Sequence, residues 1–198
     1  MSDLERHPLR PFLPDGATTL MLGTFPPPRA RWCMEFYYPN FTNDMWRIFG
    51  MIFFNDKNRL VDIGRRTFRI DEIKQLLTAK GIALYDTAQV VVREKGTAAD
   101  KDLTITEATD IAALLKRLPR CRAIMATGKK ACDVVAAQYG IETPPQTGTA
   151  AATGIADGAR LPGTDVRLYR LPSTSRAFPM SIERKAEAYK RVFDINTH

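Results

Sequence analysis

Four short apolar runs constrain this chain most, because each stops abruptly in residues that turn or bind. Leu20-Met21-Leu22 gives way to Gly23-Thr24-Phe25-Pro26, and Ile82-Ala83-Leu84-Tyr85 to Asp86-Thr87. Arg122–Thr127 runs into Gly128, and Val166–Leu171 into Pro172-Ser173-Thr174-Ser175. Runs of this length suit strands buried on both faces. The segments between them carry helical spacing, so strands alternate with helices. That pattern predicts an α/β fold with layers α/β/α, its central four-stranded parallel sheet covered on both faces. The strand ends then meet along one edge of the sheet, where ligands bind in folds of this kind.

In chain order, residues 1–17 read as an irregular, proline-containing arm before a first strand at 18–24. Asn43 opens a helix to about residue 54, with Met45, Trp46, Phe49, Ile52 and Phe53 at helical spacing. Residues 57–69 read as a basic connection, and Asp71-Glu72 begin a helix closed by Gly81. Val90–Leu103 reads as a loop, and Thr106 as the start of a helix that Pro119 stops after Leu118. A further helix runs from Gly128-Lys129-Lys130 to Tyr139, and residues 142–165 read as an extended loop. Ser181 caps the last helix, in which Ile182, Ala186, Tyr189 and Phe193 share a face.

Composition narrows the function. A chain of 198 residues is sized for one domain, here 1–198, and its 44% apolar and 26% charged residues are ordinary for a globular protein. No apolar run is long enough for a membrane span, and the first residues lack the apolar core of a signal peptide. Three widely spaced cysteines, Cys33, Cys121 and Cys132, suit a reducing cytoplasm better than a disulfide framework or a metal cluster. The two histidines, His7 and His198, sit near the chain ends, which argues against a histidine base, a Ser-His-Asp triad or a histidine-held metal. Motifs for zinc hydrolysis, nucleotide phosphates and metal-dependent deamination are missing. An enzyme built from this chain must work without a cofactor, through carboxylates, amides, hydroxyls and backbone dipoles. The net charge of +7 favours a polyanionic partner, nucleic acid first.

The Gly23–Asn43 stretch reads as a pocket wall carrying Phe25, Phe36, Tyr37 and Tyr38. Helix N-termini and clustered hydroxyls beside it suit phosphate. Aromatic walls suit a base held by stacking. Each residue also has a plainer reading: the aromatics as core, Asn43 as a helix N-cap, Asp86 as a turn cap, Ser173–Arg176 as an ordinary loop.

In these residues the chain resembles the uracil-DNA glycosylase superfamily, and most specifically its mismatch-specific and hypoxanthine-excising branches. The family's Gly-Ser-Phe-Pro is matched by Gly23-Thr24-Phe25-Pro26, and its paired aromatics followed by Asn by Tyr37-Tyr38, Asn43 and Trp46. Gly-Ile-x-Leu-aromatic-Asp is matched by Gly81–Asp86, and Leu-Pro-Ser-Thr-Ser stands intact at Leu171–Ser175. The better-known branches hold Asp or Asn at the position of Phe25, and His or Asn at that of Leu171. The hypoxanthine-excising branch lacks both and relies on the Asn matched by Asn43, preceded there by His-Pro-Arg where this chain has Asn40-Phe41-Thr42.

The resemblance implies a monomer that hydrolyses the N-glycosidic bond of a damaged or mismatched base in DNA. Asn43 would be catalytic, and Tyr38 would stack on the extruded base. Gly23, Thr24, Phe25 and Asp86 would hold that base, and Ser173, Thr174, Ser175 and Arg176 would press into the duplex. Two rival readings stay open: a module on the same fold that binds nucleic acid without cutting it, and an enzyme acting on free nucleosides or nucleotides.

Overall fold

The computed structural model describes residues 4–94, 102–147 and 158–196. Parts of two expected loops, residues 95–101 and 148–157, and His198 lie outside the described residues. The elements in order are β1 (Leu4–Arg6), β2 (Thr19–Gly23), α1 (Met45–Phe54), β3 (Val61–Asp62), β4 (Thr67–Phe68) and α2 (Ile70–Ala79). There follow β5 (Ile82–Asp86), β6 (Ala88–Arg93), β7 (Leu103–Ala108), α3 (Ile111–Lys116) and β8 (Ala123–Thr127). The chain continues through α4 (Lys129–Gln138), β9 (Ala159–Arg160), β10 (Arg167–Leu171) and α5 (Ile182–Asn196).

The central sheet has the order β5-β2-β8-β10-β9. Its first four strands are parallel, as the apolar runs predict, and β9 adds a short antiparallel fifth at the edge. That fifth strand is the one departure from the expected four, and it arises within the stretch read as a loop. Every residue of β2, β5 and β8 is buried, so those strands show no polar alternation. The order reverses between β2 and β8: the chain leaves β2 toward β5, and later runs from β8 toward β10. Right-handed crossovers in opposite directions put the connecting helices on opposite faces and open a crevice between β2 and β8.

The packing follows the apolar faces. Trp46 and Phe49 of α1 are fully buried, and Phe49 meets Phe193 of α5 edge-on at 5.7 Å. Burying one such ring stabilises the fold by roughly 1.5–3 kcal/mol. Trp46 is core, its Nε1–H given to the Tyr37 carbonyl at 3.1 Å.

Three segments depart from the sequence reading. The 1–17 arm is anchored: β1 pairs antiparallel with β6, and Phe12 bridges to Leu84. Residues 57–69 include a two-stranded hairpin, β3 with β4. The 90–103 loop and the helix start at Thr106 give way to strands β6 and β7, which with β1 form a second, three-stranded sheet. In β7 the β-branched residues Thr104, Ile105 and Thr106 favour strand, and the helix waits for Asp110, whose carboxylate caps α3 by accepting from Ala113 N at 2.9 Å.

Candidate functional site

The crevice between β2 and β8 holds a cleft of about 680 Å³, at the carboxyl ends of the parallel strands. Its lining includes Gly23, Thr24, Phe25, Tyr38, Asn43 and Asp86, with Ser173, Thr174 and Ser175 on the opposite wall. Of the residues expected on the site, Arg176 is absent from the lining, and so is Phe36, which is buried in the core against Trp46.

The floor is made where β2 and β5 end side by side, Gly23 opposite Asp86. A Cβ on residue 23 would fall 2.3 Å from Asp86 Oδ1, so the carboxylate occupies space that glycine alone leaves open. The other carboxylate oxygen, Oδ2, is 2.9 Å from Nε2 of His7. The position of His7 near the chain start argued against a histidine in the site; instead its side chain is 1% exposed and lies directly behind a floor residue. Its ring is enclosed by Tyr85 at 4.8 Å, Phe25 at 5.3 Å and Tyr37 at 6.4 Å. The arm is fixed on both sides of it, by His7 N–H to the Gln89 carbonyl at 2.8 Å and by Tyr37 OH to the Arg10 carbonyl at 2.8 Å.

Burial raises the hydroxyl pKa of Tyr37, and the neighbouring Asp86 raises it further. Burial also raises that of Tyr85, so both rings stay neutral at ordinary pH. Phe25 turns its ring toward the small cluster of Ala88, Val91 and Leu103.

Tyr38 forms a wall. Its φ of 51° is strained for a residue with a side chain, a state that persists only where the surroundings fix it. Here the hydroxyl reaches Thr127 Oγ1 at 3.0 Å, at the end of β8. Thr127 Oγ1 also lies 3.3 Å from the Leu22 carbonyl, which accepts from it. The ring is thus held at both ends, spanning the crevice.

Asn43 stands one residue before Asp44, the cap position of α1. The Asn43 Oδ1 accepts from Met45 N at 2.9 Å, in the manner of a helix cap, and this orientation leaves the Nδ2 amide as the group free to face the cleft.

Behind it Asp44 holds the opposite wall. Its backbone N–H goes to the Thr174 carbonyl at 3.0 Å, and its carboxylate takes Lys185 at 3.0 Å and Arg176 at 3.2 Å. Lys185 also donates to the Ser175 carbonyl at 2.8 Å, and Tyr189 to that of Pro172 at 2.9 Å. Lys185, part of a basic run in the sequence, is 1% exposed, and Arg176 is occupied in the same network with its side chain 55% exposed. Thr174 is buried, and the hydroxyls of Ser173 and Ser175 accept from backbone N–H groups two residues on.

Lys129, Lys130 and Arg170 also line the cleft, Lys129 paired there with Asp133. Among the described residues no group of three or more His, Cys, Asp or Glu could hold a metal ion, and no helix is long and apolar enough to cross a membrane.

Strand order, crevice position and the strand-end segments together define an α/β protein of uracil-DNA-glycosylase-like fold. The chain is similar to a solution NMR structure from Methanosarcina acetivorans, provisionally described as a uracil DNA glycosylase. The match has a TM-score of 0.64 at 20% sequence identity, over 99% of this chain and 100% of the other. At that identity the likeness is one of fold. No family model and no curated protein matches the sequence.

Proposed function

We propose that the chain is a DNA glycosylase that hydrolyses the N-glycosidic bond of a damaged base, uracil or hypoxanthine in type, extruded from DNA. The observation that supports it is the convergence in one cleft of a hydrogen-bonding floor (Gly23, Asp86), an aromatic wall (Tyr38) and an amide (Asn43). Extrusion costs a few kcal/mol and is easiest for a mismatched or damaged base. The Tyr38 ring, already fixed by Thr127, receives the base without further ordering. As the bond breaks, positive charge grows on the sugar and negative charge on the base. The Asn43 amide donates toward that charge or orients the attacking water, without changing its protonation state. Ser173–Ser175, braced by Asp44 and Lys185, meets the strand from which the base was drawn.

The test is incubation with duplexes carrying uracil or hypoxanthine, followed by alkaline cleavage at any abasic site. Strand breaks at the lesion alone support the proposal, and none at any lesion counts against it. A second reading, a module that binds nucleic acid without cutting it, draws on Phe25 and Leu171, which put apolar side chains where the better-known branches carry polar ones. Steep loss of affinity with salt, and no base release, would mark that module.

A further inference from the structure

His7 is the buried titratable group that the proposed reaction leaves unused, yet it touches the floor of the cleft. Its side chain is 1% exposed, and that of Asp86 is 8% exposed. A carboxylate placed this deep is costly unless hydrogen-bonded. Asp86 could in principle turn, but His7 Nε2 at 2.9 Å on Oδ2 fixes its rotamer. Oδ1 rests where a Cβ on residue 23 would stand, so only glycine there leaves it in place. The imidazole itself cannot shift, because three aromatic rings surround it and its backbone is paired to Gln89.

We propose that His7 is a positioning residue of this site, fixing Asp86 as the hydrogen-bond acceptor on the cleft floor. The inference rests on the glycosylase reading for the identity of the ligand, but not for the pair itself. With Oδ2 occupied by His7, the remaining lone pairs belong to an oxygen that only accepts. The ligand class follows: a base that presents a ring or exocyclic N–H to the floor is held. A base that presents a methylated nitrogen there leaves the acceptor unpaired. His7 lies behind Asp86 and outside the lining, so it acts through the carboxylate alone.

Two experiments test this. The first uses the free protein and needs no activity. With only two histidines in the chain, ¹⁵N NMR separates His7 from His198. The His7 Nε2 proton is expected to be observable and slow to exchange, and to lose that protection in Asp86→Ala. Free uracil and hypoxanthine, added separately, are expected to shift the His7 resonances through Asp86, whereas 3-methyluracil and 1-methylhypoxanthine leave them in place. A His7 Nε2 proton that exchanges too fast to be observed, or is untouched by Asp86→Ala, overturns the pairing. Equal shifts from each base and its methylated form, or none from any, overturn the acceptor role.

The second experiment follows base release in single turnover. His7→Leu is expected to slow it roughly 10- to 100-fold, the worth of one hydrogen bond to a charged group. His7→Gln, which restores an N–H at similar reach, is expected to recover most of that loss. Equal rates for the Leu and Gln variants, with both folded, would return His7 to a packing role. If the wild type releases no base from any lesion, the glycosylase reading fails while the NMR result still decides the pair.

Discussion

Replacing Asn43 by Asp rather than Ala separates its two roles. Asn43→Ala removes the acceptor for Met45 N and the Nδ2 donor together. Losing the cap costs about 0.5–2 kcal/mol. In a protein of 198 residues that lowers Tm by a few degrees, since 1 kcal/mol corresponds to roughly 2–4 °C at this size. Asn43→Asp keeps an oxygen for Met45 N and adds negative charge at the amide end of α1, which favours the helix by about 0.3–1 kcal/mol. The neighbouring carboxylate of Asp44 opposes that gain, although Lys185 and Arg176 already neutralise it. The Asp variant should therefore melt close to wild type, and above the Ala variant. Chemistry should divide differently. Both variants lose the donor, and one preorganised donor is worth roughly 10²–10³ in rate. Single-turnover release of uracil or hypoxanthine from a duplex, run beside thermal melts, makes the comparison. Wild-type release by Asn43→Asp would refute the reasoning and leave Asn43 a helix cap.

Three further outcomes follow from the geometry. Gly23→Ala puts a Cβ 2.3 Å from Asp86 Oδ1 and forces the carboxylate aside; a displacement near 1 Å costs on the order of 10²-fold in rate and overpacking a closed site about 1–3 kcal/mol, so base release should collapse and the melt should fall with it, and unchanged kinetics would show that the floor plays no part. Lys185→Met strips Asp44 of its buried partner and should cost about 3–5 kcal/mol in urea unfolding, whereas Arg176→Ala, on the exposed side of the same carboxylate, should cost no more than about 1 kcal/mol; equal losses would contradict the assignment of burial. Burial pushes the thiols of Cys121 and Cys132 up to about 11 and raises that of Cys33, so little thiolate forms at pH 8. Native protein should react slowly with a thiol reagent and unfolded protein fast. Because the unfolded thiols ionise near 9.0, the unfolded chain gives up protons that the folded one keeps, and stability should fall as pH rises from there toward 11; a melt that stays flat across that interval would argue against the burial.

The parallel half of the fold was legible because β2, β5 and β8 are apolar on both faces and end in residues that break a strand. The antiparallel sheet was not. Arg93 and Glu94 interrupt the apolar run of β6, and Thr106-Glu107 imitates a helix start inside β7. Only pairing across the sheet, Val91 against Ile105 and Leu4 against Val92, decides those segments, and no local pattern records it. The strand-end segments around Gly23, Asp86 and Ser173 were readable for the same reason as the sheet: they mark where buried strands stop. His7 escaped because its partner is 79 residues away and the prolines around it, Pro8 and Pro11, suggest an irregular arm. Lys185 escaped because a lysine beside an arginine reads as surface, whereas its ammonium is drawn inward by Asp44 and the Ser175 carbonyl.

The arm also orders the assembly of the cleft in time. It leaves the ribosome ahead of its partners and has nothing to dock on until Asp86 and β6 emerge, an interval of roughly 4–16 s for those 79 residues at about 5–20 residues per second. Once they do, β1, β2, β5 and β6 can close on one another, since all their mutual pairings fall within residues 4–93. Residues synthesised later supply Thr127, the latch for Tyr38, and the wall from Ser173 to Ser175. Nascent chains halted near residue 130 should therefore already protect the arm from proteolysis, with the cleft still open on one side.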